Sequence, residues 1–217
     1  MPRLLFEKNG RAVWISHLDL MRLFQRAFKR ASLSLTHTHG FNPRPSVSIA
    51  LPLSVGTESM CELLDFDLEG ETIAPDVIRD ALNKELIPGV RVCQVYNDGR
   101  KIRDLSLLRC CVYLKYAYVD DNQINAIRAL FQNPSLLVQK KSKSGVQEQD
   151  IIPMIRKIEV ARDNDFVILD CVICCQNPTL NPMQLVAAIE KYLPQYTPDF
   201  SKCKRIEIYD QHENVFR

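Results

Sequence analysis

The apolar residues of this chain switch between strand-like and helix-like spacing in the same order twice, and no other feature constrains its fold as strongly. Near the start, the turn dipeptide Asn9-Gly10 separates two short apolar runs, 4–6 and 12–15, which predicts a hairpin. Leu20, Leu23, Phe24, Ala27, Phe28 and Ala31 then fall on one face of a helix, with Arg22, Arg26, Lys29 and Arg30 on the other. Ser16 is placed as the N-cap of that helix, and Asp19, three residues on, makes a variant of the capping box. Strand-like alternation follows at 47–51 and 62–69. A helix at 75–86 carries proline in its first turn and stops before Pro88-Gly89, and 90–96 reads as a further strand.

The order recurs beyond the polar, turn-prone segment 97–101. A strand is expected at 107–119, a helix at 121–131, a strand at 136–140, a turn at 142–145 and a helical or irregular piece near 150–155. A strand at 166–175, a helix at 182–192 and a last strand at 204–209 complete it. The predicted fold class is α+β: two tandem ferredoxin-like (β-α-β-β-α-β) units with antiparallel sheets, spanning 1–97 and 102–217. Residues 151–161 match neither period.

Charge is distributed unevenly along this otherwise ordinary globular composition. Residues 1–50 hold eight Lys/Arg against Glu7 and Asp19, whereas 51–100 hold four against ten Asp/Glu, so the first segment presents a basic surface suited to an anionic partner. Neither a signal-like start nor an apolar run of membrane-spanning length stands out, and the expected location is cytoplasmic, with no membrane partner. Eight cysteines include a Cys-x-x-Cys at 171–174, but that motif lies in a β-branched run, where odd spacings point to opposite faces. The cysteines therefore read as buried thiols packing as small hydrophobes, with no metal site and no cofactor expected.

The candidate functional residues concentrate between Ser16 and Pro45. His17 begins the helix, at a position suited to acid/base chemistry. His37 and His39 alternate on an extended segment roughly 7 Å apart, with no Asp, Glu or Cys in the loop to complete a metal site. A phosphate or carboxylate contact is the more economical use of them. Arg22, Arg26, Lys29 and Arg30 lack acids at the i+3 or i+4 positions that would neutralise them. Asn42, Pro43, Arg44 and Pro45 form a stiff segment, because proline fixes its own φ and pushes the preceding residue extended. The RNA- or anion-binding set is thus His17, Arg22, Arg26, Lys29, Arg30, His37, His39, Asn42 and Arg44. Asp65, Asp67 and Glu69 share one strand face and read as an acidic edge that resists aggregation. The run Lys140-Lys141-Ser142-Lys143 reads as a flexible turn.

The run Ser16-His17-Leu18-Asp19-Leu20-Met21-Arg22, then Arg26, Lys29-Arg30-Ala31, Gly40-Phe41-Asn42-Pro43-Arg44-Pro45, Leu51-Pro52-Leu53, Gly56, Ser59 and Glu62 closely resembles the radical SAM-linked protein family, the DUF2344 domain. The resemblance is specific over residues 1 to about 70 and is one of length and layout beyond. It implies a stand-alone form whose partner is a radical SAM protein encoded nearby. This chain has no CxxxCxxC, P-loop or GxGxxG, so it carries neither radical nor nucleotide chemistry itself. The expected function is that of an accessory protein binding RNA, tRNA or rRNA, through the basic helix and His/Pro loop. Two alternatives are a metal-independent RNA-processing enzyme using His17, and an interaction module docking on the radical SAM partner without RNA.

Overall fold

The computed structural model describes residues 2–142 and 145–217. Lys143 and Ser144, at the centre of the predicted 142–145 turn, lie outside the described residues. The chain is α+β, with four α-helices among the described residues, and it divides into two compact units, Met1–Asp104 with Phe216–Arg217, and Leu105–Val215. The division falls after a short 3₁₀ turn, Ile102–Asp104, which extends the first unit past the linker expected at 97–101. No described helix is long and apolar enough to cross a membrane.

Unit 1 runs β1 (Arg3–Lys8), α1 (His17–Arg30), β2 (Val47–Ile49), β3 (Glu58–Phe66), α2 (Pro75–Glu85) and β4 (Val90–Tyr96). Its strands lie in the order β4-β1-β3-β2, with every pairing antiparallel. The hairpin expected around Asn9-Gly10 does not form. β1 already pairs β4 on one side and β3 on the other, so no edge is free for a second strand. The chain after Asn9 coils instead into a 3₁₀ turn, Gly10–Trp14, with the buried Lys8 ammonium donating to the carbonyls of Val13 and Ile15 at 3.2 and 3.1 Å.

Leu20, Phe24, Ala27 and Phe28 of α1 are fully buried against Leu4, Phe6, Leu64 and Phe66 of the sheet, as helical spacing requires. Phe6 meets Phe24 edge-on at 4.8 Å between ring centroids, and Phe28 lies 5.1 Å from Phe66. Such pairs add about 0.5–1.5 kcal/mol each beyond area burial. Asp65 is not an exposed edge acid. β3 lies between β1 and β2, and the Asp65 carboxylate accepts from Arg3 Nε and Nη2 at 2.6 and 3.1 Å.

Unit 2 runs β5 (Leu107–Lys115), α3 (Asp121–Leu130), β6 (Leu137–Ser142), β7 (Gly145–Asp150), β8 (Ile155–Asp163), β9 (Phe166–Cys174), α4 (Met183–Tyr192) and β10 (Phe200–Tyr209). Its sheet has the order β10-β5-β9-β8, and β6 and β7 form a separate two-stranded ribbon. The strand expected at 136–140 therefore belongs to an inserted hairpin. The sheet strand is β8, within the stretch that matched no template, because only Val160 of β8 is buried and alternation is lost. Cys171 is buried while Cys174 is half-exposed, as opposite faces of a strand demand, and all eight cysteines are free thiols. Cys110 and Cys171 face each other across β5 and β9 with 3.5 Å between sulfurs, and that neighbouring thiol, together with burial, pushes the Cys110 thiol well up.

Candidate nucleic-acid interface

Helix α1 begins just after Ser16, an extended N-cap residue whose hydroxyl accepts from Asp19 N–H at 3.2 Å. The same hydroxyl donates to Asp19 Oδ2 at 2.8 Å, and Arg22 donates to Asp19 Oδ1 at 2.8 Å. These two contacts, the Ser16 hydroxyl first and then Arg22, hold the Asp19 carboxyl below its ordinary value.

The predicted basic face is thus partly neutralised. Arg22 has an acid one turn before it, and Arg30 reaches Glu85 on α2, 2.9 Å from Oε2 and 2.5 Å from the carbonyl oxygen. Arg26 and Lys29 are exposed and form no ion pair among the described residues. Around them the sequence holds no Asp or Glu from Leu20 to Thr57.

The loop after α1 is a built projection. At its base, Thr36 N–H donates to Asp67 O and Asp67 N–H to Ser46 O, at 3.0 and 3.1 Å, while Thr36 Oγ1 donates to Asp67 Oδ2 at 3.0 Å. Above that, Ser46 N–H donates to Thr36 O and Thr38 N–H to Arg44 O, both at 2.8 Å, with an antiparallel bridge between His37 and Pro45. Arg44 N–H returns a bond to Thr38 Oγ1 at 3.0 Å. Gly40, at φ +140°, turns the chain at the tip in a conformation that L side chains rarely adopt. His37, His39, Asn42 and Arg44 are all exposed on this projection.

Two open hollows flank α1. One, of about 370 Å³, is lined by Gln25, Lys29, Ser32, Leu35, His37 and Glu69, among others, and brings Lys29 and His37 together. The second, of about 440 Å³, is lined by Ile15, Asp19, Arg22, Leu23 and Arg26. His17 lines neither hollow, and its Nδ1 is buried without a hydrogen-bond partner. His39 and Asn42 sit at the tip, apart from both hollows. Among the described residues no three His, Cys, Asp or Glu side chains converge to hold a metal.

Sequence reasoning did not single out Phe41. Its ring is fully solvent-exposed at the tip, at 112% relative accessibility. The available signal was an aromatic residue set among turn formers, where neither helix nor strand supplies a face to bury it.

The profile of one protein family matches residues 2–182, and its description is an uncharacterized protein conserved in bacteria, DUF2344. The chain belongs to this family. A chain of the crystal structure of a Cbf5-Nop10-Gar1 complex resembles the DUF2344 protein with a TM-score of 0.51 at 7% identity, covering 95% of this chain and 48% of that one. The DUF2344 chain therefore spans about half the length of that relative, and the likeness is one of fold alone. An unknown protein from Galdieria sulphuraria matches with a TM-score of 0.27 at 11% identity over 94% of this chain and 96% of that one. No curated protein matches.

Proposed function

We propose that this DUF2344 protein is a cytoplasmic accessory of a radical SAM protein that binds RNA, tRNA or rRNA, through α1 and the 36–46 projection of unit 1. In this reading both units are variants of the ferredoxin-like plan, a fold-level proposal supported by the matching strand orders β4-β1-β3-β2 and β10-β5-β9-β8. The observation that carries the RNA reading is the set of exposed cations Arg26, Lys29 and Arg44, which form no ion pair among the described residues, beside a stiff projection. Phosphates recruit such cations by releasing condensed counterions, which gives affinity without base specificity. The test is binding of labelled total tRNA to the full chain and to the Arg26→Ala/Lys29→Ala/Arg44→Ala variant across a salt series. The wild type should weaken steeply with salt and the variant should bind less at every concentration. Equal binding by the two proteins sinks the reading.

A second reading rests on one specific atom. The Nδ1 of His17 is buried without a hydrogen-bond partner, so this nitrogen is not tied to the backbone of the cap. An RNA-cleaving enzyme using His17 would lose cleavage but keep binding on His17→Ala.

A further inference from the structure

We propose that Phe41 is a base-stacking residue, and that the ligand class of unit 1 is therefore RNA carrying an unpaired nucleotide, in a bulge, loop or single strand, rather than uniform duplex. The inference rests on the RNA reading above and narrows it.

A single exposed apolar side chain on a surface needs no explanation by itself. Phe41 differs in how it is presented. Its ring is wholly solvent-exposed, so it adds no burial to the fold. The backbone beneath it is fixed by the Thr36–Ser46 and Thr38–Arg44 hydrogen bonds and by the His37–Pro45 bridge, and the base of the projection is tied to Asp67. Gly40 supplies the turn before it, and Pro43 and Pro45 restrict the chain after it. A ring held out on a preformed support loses little further entropy on binding.

The occupant follows from charge. Arg44, His37 and His39 surround the tip in sequence, and no carboxylate occurs anywhere from Leu20 to Thr57. An apolar protein surface would be matched by an apolar patch around the ring, whereas the tip neighbours Thr38, His39, Asn42 and Arg44 are polar and exposed. An exposed aromatic ring on a segment that also carries Arg44, Asn42 and two imidazoles is complementary to a base with its phosphate. Unpaired bases are what aromatic side chains can stack on in RNA, since the faces of paired ones are already stacked within the helix.

The experiment compares two labelled RNAs, a blunt, fully paired duplex and the same duplex with one bulged nucleotide, by fluorescence anisotropy with the full-length chain. Phe41→Ala should weaken binding of the bulged RNA about tenfold and of the fully paired duplex less than twofold, the size expected for one lost stacked base. Phe41→Trp should retain the preference, Phe41→Leu should lose it, and the slope of log affinity against log salt should not change in any of the three. Melting should also be unaffected, because the ring is not buried. Equal loss on both RNAs, no loss on either, or a Phe41→Leu variant that behaves as wild type overturns the stacking role while the phosphate-binding reading stands. Absence of salt-dependent binding to both RNAs by the wild type overturns the RNA reading and the stacking role together.

Discussion

Asp65→Ala tests what holds unit 1 together as a platform for the projection. Arg3 is 2% exposed; its Nε and Nη2 donate to Asp65 at 2.6 and 3.1 Å, its Nη1 is buried without a hydrogen-bond partner, and the buried Phe216 ring lies 5.6 Å from Cζ. Gly99 closes the other approach: a Cβ there would lie 2.9 Å from Arg3 Cζ. Removing the carboxylate leaves a buried cation compensated, among the described residues, by an aromatic face. Breaking such a pair from one side costs about 3–5 kcal/mol. The Asp65 side chain retains 17% of its exposure, so some water can enter, and the lower end, about 3 kcal/mol, is the better figure. For a unit of about 100 residues each kcal/mol moves the melting point by about 4–8 °C, giving a loss of about 12–24 °C. The assay is urea unfolding followed by far-UV circular dichroism, with the m-value checked for constancy, alongside calorimetry. Arg3→Met combined with Asp65→Leu should recover most of the loss, because replacing both charges with apolar side chains removes the need for pairing. A cost under about 1 kcal/mol for Asp65→Ala, or a double variant as unstable as the single one, would show that the pair does not organise the unit.

Other consequences are simpler to check. Arg26→Ala or Arg44→Ala should each lower the salt slope of RNA binding by roughly 0.7–0.9, and Arg22→Ala or Arg30→Ala by less, since Asp19 and Glu85 already hold those two; equal effects at all four positions would contradict the partition. Ser16→Ala should destabilise α1 by about 1 kcal/mol through loss of its cap, and NMR titration should find Asp19 ionising at higher pH than in the wild type. Asp19's folded value lies below its ordinary 3.8, so its contribution is present above that pH and fades only as pH falls through the folded value. In unit 2, burial pushes the Tyr116 hydroxyl up to about 12 while it donates to Tyr196 O at 2.9 Å. Stability from that raised group is full below about 10 and declines as pH rises towards 12, so ultraviolet titration should find one tyrosine, absent in Tyr116→Phe, ionising last.

Unit 1 was readable in the sequence because its elements carry strong local signals. The α1 stripe, the Ser16 cap and Pro75 each act within a few residues. The false hairpin arose where a local turn signal met a non-local fact, since Asn9-Gly10 cannot know that β1 has both neighbours already. In unit 2 the edge strand β8 was invisible for the opposite reason: an edge strand that buries one residue has no pattern to display. Of the candidate site, the positive charge was legible and its neutralisation was only partly so. Asp19 lies three residues from Arg22 and belongs to the same helical turn, but Glu85 is far from Arg30 in sequence and meets it only because α2 folds back against α1. Phe41 carried no periodic signal, because a residue presented to solvent at a loop tip takes part in no face.

The ion pairs that reduce the charge of α1 also define where its remaining charge points. Arg22 is held towards the first turn by Asp19, and Arg30 is held against α2 by Glu85, so neither is free to turn towards a ligand without breaking a contact. Arg26 and Lys29 lie between them in sequence, and each lines a different hollow: Arg26 the one with Ile15 and Leu23, Lys29 the one with His37 and Pro45. Exposed pairs such as Asp19–Arg22 contribute little to stability, so their effect here is better measured as selection among cations than as support for the fold. The Lys29 hollow also includes His37 and Pro45 of the projection that carries Phe41, so the proposed phosphate contacts and the proposed stacking residue belong to neighbouring parts of unit 1.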